Sequence, residues 1–199
     1  MHILPQRPAF HNLFRINCID LGNAFPMERL WEFYCYSFLG FLLELGFARA
    51  THAAKRDRKC HLFLPICPVY GLGAALILSL PPFIKQHPLL LALSAGALAT
   101  GTEYVLALFY EKVWHTAFWD YHALPGNLHG RVCLPFSVIW GVLGVGLVYG
   151  ASPLLAPVFR HLPPELLIPI TLVFCVDAAV TGQVLRRSGT TEALRWYRE

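Results

Sequence analysis

Residues 88–110 read PLLLALSAGALATGTEYVLALFY, an apolar run whose single charged residue is Glu103. A run of this length and composition predicts a transmembrane helix, because about 20 apolar residues cross the hydrocarbon core of a bilayer. A helix also satisfies its backbone hydrogen bonds internally, as lipid requires. Since an ionisable side chain inside such a helix is costly, Glu103 is the first candidate for a functional residue.

The composition of the whole chain indicates the same class of protein. Of its 199 residues, 56% are hydrophobic and only 14% are charged, which is more apolar surface than a soluble domain of this size buries. The formal net charge of +4 is small, and the basic residues cluster between apolar runs. We therefore predict an integral membrane protein without a nucleic-acid partner.

Five apolar runs are long enough to cross a membrane, so we predict an all-α bundle of about five transmembrane helices. The second run holds four prolines, which predict irregular or kinked first turns. We expect the fourth run to stop near Gly150, followed by a short turn or re-entrant piece over residues 152–157. The predicted spans are Leu30–Phe47, Leu62–Ile84, Pro88–Tyr110, Val132–Tyr149 and Leu166–Leu185.

The positions of lysine and arginine predict the orientation of the bundle. Most of them follow the first and third spans or lie in the C-terminal tail. The positive-inside rule then places the N-terminus outside and the C-terminus in the cytoplasm. We divide the chain into an N-terminal extension over 1–26, one transmembrane domain over 27–187 and a cytoplasmic tail over 188–199. The extension lacks the apolar core of a signal peptide, and translation from Met27 would omit it.

The polar residues of this topology converge on the inner half of the membrane. Glu44 lies near the inner end of the first span, Tyr70 near the start of the second, and Glu103 within the third. We expect Arg131 to compensate one of the acids, because an unpaired buried carboxylate would take up a proton. The candidate residues of a polar substrate-binding site are Glu44, Tyr70, Glu103, Glu111, Asp120, Asn127 and Arg131. We expect Glu103 and the last three of them to lie in mutual contact.

Several of these features also have a purely structural interpretation. Glu103 could be a structural acid, bonded to a neighbouring hydroxyl or paired with Arg131, and Glu44 could reach toward water from its helix end. Glu111 is typical of charge at the membrane interface. Asp177, with Thr181 one turn later, is better explained by interhelical hydrogen bonding than as another cavity acid.

The loop after the third span is rich in aromatic residues and histidines. The aromatic residues are typical of a belt at the membrane interface. The histidines recur every seven residues, but a loop does not keep helical phase, so we predict no metal site. The aromatic residues are Trp114, Phe118, Trp119 and Tyr121, and the histidines are His115, His122 and His129.

The cysteines and the absent motifs narrow the range of functions. No CxxC pair occurs, and most cysteines lie within or beside apolar runs, which predicts buried reduced thiols rather than a disulfide framework or a zinc site. The chain has no P-loop, HExxH or GxSxG motif. We therefore predict no cofactor and favour a function other than catalysis. The cysteines are Cys18, Cys35, Cys60, Cys67, Cys133 and Cys175.

A set of short motifs in a fixed order resembles the bacterial putative ABC-transporter type IV permease family, the CmpB-like group. The motifs are GFLLE at 40–44, PICPVYGLG at 65–73, EY at 103–104, EK at 111–112, WDY at 119–121, NLHGR at 127–131 and WG at 140–141. Two features depart from the family pattern: Phe118 replaces a tryptophan of the usual WWDY run, and the first 26 residues have no counterpart. The resemblance implies a multi-pass protein of the bacterial inner membrane, without naming a substrate.

Two functions of different kinds fit the sequence. The first is a permease subunit that works with a separate ATPase chain docked on the loop from Trp114 to Arg131. The second is an intramembrane enzyme or lipid-head-group-binding protein, in which Glu103 acts on a substrate whose phosphate Arg131 holds. A scaffold subunit with a structural polar core is a third possibility. The expected partners are membrane lipid, the ATPase and other copies of the chain.

Overall fold

The computed structural model describes residues 26–52 and 59–195. Helices make up 75% of the structure, and no β-strand forms in the described residues, which confirms the all-helical class. Most of the predicted N-terminal extension, most of the first basic loop and the last four residues lie outside the described part. The helices are α1 (Pro26–Ala50), α2 (Pro68–Leu78), α3 (Pro82–Lys85), α4 (Pro88–Phe109), α5 (Leu134–Gly146), α6 (Ser152–His161) and α7 (Leu167–Ser188).

Three helical stretches are long and apolar enough to cross a membrane: Pro88–Trp114, Leu134–His161 and Pro164–Ser188, with 27, 28 and 25 residues. Their outer faces are exposed and apolar, as Leu154 and Ile168 show at 75% and 71% exposure, so lipid suits them better than water. The 11-residue α2 rises only roughly 16 Å, about half of a hydrocarbon core. The count of five crossings therefore stays a prediction.

The fourth predicted span continues further than the sequence indicates. A π-helical stretch, Leu147–Ala151, joins α5 directly to α6, and helix extends to His161. The expected end near Gly150 and the expected turn over 152–157 are therefore wrong. Pro153 stands in the first turn of α6, directly after the π-helical stretch. Such a stretch shifts the backbone hydrogen bonding of a helix locally, so that a following proline is accommodated without a break.

Residues 59–67, here called the entry segment, are not helical and lead into α2 at Pro68. Pro68 occupies the first turn of α2. Backbone N–H groups in the first turn have no acceptor within the helix, so proline costs no helical hydrogen bond there. A turn over residues 79–81 then separates α2 from α3. The predicted span Leu62–Ile84 thus consists of short pieces rather than one continuous helix.

The backbone of the entry segment is hydrogen-bonded to α7. The Asp177 carboxylate accepts hydrogen bonds from the N–H groups of Phe63 at 3.2 Å and Leu64 at 2.8 Å. The Thr181 hydroxyl oxygen accepts one from the N–H of Leu62 at 2.9 Å. Irregular backbone at membrane depth needs such protein partners. Asp177 therefore holds two parts of the bundle together and does not line the cavity described below.

Helices α4 and α5 approach each other through glycines. A Cβ atom on Gly141 would meet the backbone oxygen of Ala92, and one on Gly96 would meet the backbone oxygen of Ser137. Small residues at such positions allow membrane helices to pack closely. The close approach places Trp140, next to Gly141, against the face of α4 that carries the buried acid.

Candidate functional site

A cavity of about 590 Å³ lies among α1, the entry segment, α2, α4, α5 and the loop between α4 and α5. Its wall is mostly apolar and contains two acids, Glu44 and Glu103. Among the described residues that line it, Lys59 is the one basic side chain, and its Nζ donates to the backbone oxygen of Leu62 at 3.3 Å. Three predicted site residues, Glu44, Tyr70 and Glu103, thus share one cavity, and the other four do not line it.

Glu103 lies in α4 with only 3% of its surface exposed. The Tyr121 hydroxyl donates to its Oε1 at 2.9 Å, and the Trp140 indole N–H donates to its Oε2 at 2.9 Å. In the part of the chain that the structure describes, no lysine, arginine or histidine nitrogen forms an ion pair with this carboxyl group. The buried acid is therefore oriented by neutral donors from the loop and from α5.

Glu44 is joined to α2 across the cavity. The Tyr70 hydroxyl donates to Glu44 Oε1 at 2.7 Å, and the Tyr70 ring packs edge-on against Trp140 with 5.1 Å between centroids. Gly40 makes this possible, because a Cβ atom there would collide with the Tyr70 ring. One hydrogen bond, one ring contact and a second hydrogen bond therefore link Glu44 with Glu103.

Arg131 pairs with Glu111 rather than with the buried acid. Its Nε lies 3.1 and 3.0 Å from the two carboxylate oxygens of Glu111, and its Nη2 lies 2.5 Å from Oε2. Its Nη1 also donates to the Tyr104 hydroxyl at 3.3 Å. Hydrogen bonding to Glu111 raises the pKa of the Arg131 guanidinium above its ordinary value.

The expected contact of Arg131 with Glu103 is wrong for a helical reason. Tyr104 and Glu111 are seven residues apart and share a face of the α4 stretch, and Arg131 packs on that face. Glu103 precedes Tyr104 by one residue and therefore points about 100° away around the helix. The Arg131 side chain thus neutralises an acid outside the cavity, and no other described cation pairs with Glu103.

Asp120 and Asn127 fold the loop instead of joining the cavity. Asp120 accepts a hydrogen bond from the backbone N–H of His122 at 2.9 Å, and this bond lowers the pKa of the Asp120 carboxyl group. Asn127 donates to the backbone oxygens of His122 at 3.1 Å and Leu124 at 3.0 Å, and accepts from Gly130 N–H at 3.3 Å. The expected contact of both residues with Glu103 is therefore wrong.

Of the four aromatic residues of the loop, Trp114 is buried and the other three are half-buried, so the interfacial belt stays a prediction. Trp114 is 9% exposed and stacks on Tyr110 with 4.9 Å between ring centroids. Phe118 lies 4.7 Å from Tyr110, and the Trp119 indole donates to the backbone oxygen of Arg131 at 2.8 Å. The short loop thus folds back over the end of α4 and packs these rings against Tyr110.

Sequence reasoning missed Tyr121 and Trp140 as the residues that hold Glu103. The signal that could have found them is chemical: a buried carboxylate needs donors, and tyrosine and tryptophan supply one each. Burial raises the pKa of the Tyr121 phenol, so this hydroxyl keeps its proton and donates. The phenol ring stacks on Phe136 with 4.9 Å between centroids, which fixes its direction.

Two thiols also lie on the cavity wall. Cys60 and Cys67 of the entry segment are buried, and their sulfur atoms are 2.7 Å apart. The expectation of buried thiols also fits Cys133 but fails for Cys175, which is exposed. Within residues 26–52 and 59–195, no group of three or more histidine, cysteine or acidic side chains is placed to hold a metal ion.

Membrane-length helices around an acid-bearing cavity define a helical membrane protein. The chain belongs to the family described as putative ABC-transporter type IV, whose model matches residues 31–182. The resemblance carried by the short motifs is thereby confirmed. No curated protein and no solved structure matches the chain.

Proposed function

We propose that this protein is the membrane-embedded permease subunit of a transporter in the bacterial inner membrane, and that the cavity is its substrate site. The observation that carries the proposal is the 590 Å³ cavity with two acids on its wall, Glu44 and Glu103. The family supports a transport function. A chain that crosses five times with its N-terminus outside would open this cavity toward the cytoplasm.

The broken start of α2 supports the same function. Transporters form substrate sites from discontinuous helices, whose free backbone groups and side chains meet inside the membrane. Here the entry segment contributes Cys60 and Cys67 to the cavity wall, and the first turns of α2 contribute Tyr70. The segment is thus positioned to change the cavity if α2 moves relative to α7.

The 199 residues contain no P-loop, so we propose that a separate chain supplies the ATPase. The folded loop between α4 and α5 is the proposed docking element. Its Arg131–Glu111 ion pair and the hydrogen bonds of Asn127 give it a defined shape, as a docking surface needs. Docking on this loop would act directly on Tyr121, which holds the buried acid.

The geometry favours the permease over an intramembrane enzyme or lipid-head-group site. That alternative requires Arg131 to hold a phosphate beside Glu103. The structure instead pairs the Arg131 guanidinium with Glu111, outside the cavity. A phosphate would have to displace a carboxylate from three hydrogen bonds.

Transport by the purified protein in lipid vesicles tests the proposal. The chain would be reconstituted alone and with the ATPase chain that co-purifies with it, and uptake of a panel of solutes would be measured. We expect ATP-dependent uptake that Glu103→Gln abolishes and Glu165→Gln leaves intact, since Glu165 is exposed and does not line the cavity. If no ATPase associates and no solute moves, the permease proposal is wrong.

A further inference from the structure

The charge of the cavity indicates what kind of molecule it accepts. Glu103 Oε1 and Oε2 each accept one hydrogen bond from the described residues, whereas a carboxylate offers about four acceptor positions. Both donors are neutral, so the negative charge of an ionised Glu103 is not cancelled. The side chain lines the cavity, and its remaining acceptor positions are available to a ligand there.

Aromatic rings surround the two acids. Tyr70 and Trp140 meet edge to face at 5.1 Å, and Tyr121 and Phe136 stack at 4.9 Å, all four on the cavity wall. The face of an aromatic ring attracts a cation, and sites for alkylated ammonium groups combine such rings with a carboxylate. Both elements are present around Glu103.

Much of the remaining wall is apolar. Its aliphatic side chains are Leu42 and Leu43 of α1, Val69 of α2, and Ile139 and Leu143 of α5. A small hydrated metal ion or a sugar would leave these side chains without partners. A volume of about 590 Å³ also falls within the range of sites for small organic ligands, roughly 300–1,000 Å³.

We propose that the cavity binds a lipophilic organic cation, with its ammonium group at Glu103 among the aromatic rings and its apolar body against the leucine, valine and isoleucine side chains. Glu44 lies on the same wall, where it accepts the hydrogen bond of the Tyr70 hydroxyl. Among the described residues of the lining, Lys59 is the basic one, and its Nζ donates to the backbone oxygen of Leu62. The claim that such a cation is the transported substrate rests on the permease function proposed above. Binding of the cation to the cavity does not depend on transport.

Binding of benzyltrimethylammonium to the full chain in lipid nanodiscs tests the proposal, with calorimetry as the readout. Neopentylbenzene has nearly the same shape without the charge, and benzylphosphonate carries the opposite charge. We expect saturable binding of the ammonium compound, one per chain, with at least about tenfold weaker binding of both others. Equal affinity for the neutral compound would show that only apolar contacts act, which contradicts the proposal.

Matched variants assign the binding to the cavity. Glu103→Gln is expected to weaken binding about tenfold or more, and Glu165→Gln to leave it unchanged. If Glu103→Gln does not fold, Glu44→Gln takes its place, with a smaller loss expected. Unchanged affinity in a folded Glu103→Gln or Glu44→Gln variant overturns the assignment. Cation binding without any transport would refute the permease function alone, whereas transport of other solutes without cation binding would refute this inference alone.

Discussion

A single buried carboxyl group organises the candidate site. Glu103 is placed by α4, but its direction is set by Tyr121 from the loop and Trp140 from α5. The cost of burying this acid is thus offset by two hydrogen bonds from separate parts of the chain, each stronger than a neutral bond when the acid is ionised. Removing either donor should affect the fold as well as the cavity.

Tyr121→Phe removes the hydroxyl donor and keeps the ring that stacks on Phe136. We expect a loss of about 1.5–3 kcal/mol in stability, the range for a hydrogen bond to a charged group. Tyr34→Phe is a matched control, because the Tyr34 hydroxyl donates to the neutral hydroxyl of Thr171 at 2.9 Å. Denaturation of both variants in detergent measures the difference. A loss no larger for Tyr121→Phe than for Tyr34→Phe would contradict this role.

The position of Glu103 could be predicted from the sequence, and its partners could not. An acid inside an apolar run is visible in the residues alone, whereas the direction of Arg131 depends on how the loop folds back over α4. A carboxylate and a guanidinium attract at long range, so both Glu103 and Glu111 were possible partners. Glu103 and Tyr104 are one residue apart and point about 100° apart around the helix. Arg131 packs on the Tyr104 face and therefore pairs with Glu111 rather than with Glu103.

At the scale of elements, α1 and α2 approach each other through glycines on both helices, Gly40 and Gly71. A Cβ atom at Gly40 would collide with the Tyr70 ring, whereas no described atom lies within 4 Å of the same position at Gly46. We expect Gly40→Ala to destabilise the protein by about 1–3 kcal/mol through overpacking, and to disturb the Tyr70–Glu44 hydrogen bond.

Gly46→Ala in the same helix is the control for that substitution. It should be neutral or stabilising by up to about 1 kcal/mol, because alanine favours helix without meeting a neighbour. Thermal unfolding of both purified variants gives the comparison. Equal effects of the two substitutions would mean that helix propensity, rather than contact with Tyr70, governs this position.

The entry segment carries a testable redox property. The Cys60 and Cys67 sulfur atoms are 2.7 Å apart, so little movement is needed to join them. We expect hydrogen peroxide to oxidise the two thiols to one disulfide, with the peroxide reduced to water. Peptide mass spectrometry would identify the cross-link. Cys60→Ser should abolish it and Cys133→Ser should not. If the folded, unsubstituted protein shows no cross-link after peroxide treatment, the prediction is wrong.

Length and composition alone identify the long apolar helices, but not their ends. The extension of α5 through Leu147–Ala151 into α6 depends on a π-helical stretch that no residue pattern marks. Proline and glycine near residue 150 are ordinary stop signals in soluble helices. Inside a membrane they are tolerated, because local rearrangement keeps the backbone groups bonded.

At the scale of the whole molecule, the orientation in the membrane remains the strongest untested expectation. The basic residues predict a cytoplasmic C-terminus. A C-terminal fusion to green fluorescent protein should therefore fluoresce, and a fusion to alkaline phosphatase, which folds only outside, should be inactive. Active phosphatase without fluorescence would reverse the topology and turn the mouth of the cavity to the opposite side.

The hydrogen bonds of Asp177 couple α7 to the cavity, although no residue of α7 is among the described residues that line it. Asp177 holds the backbone of Phe63 and Leu64, and the same entry segment presents Cys60 and Cys67 to the cavity. A rotation of α7 would therefore displace the entry segment and, with it, the part of the cavity wall that Cys60 and Cys67 form. A neighbouring subunit that binds the lipid-facing side of α7 would act as an allosteric regulator, changing ligand access without contacting the ligand.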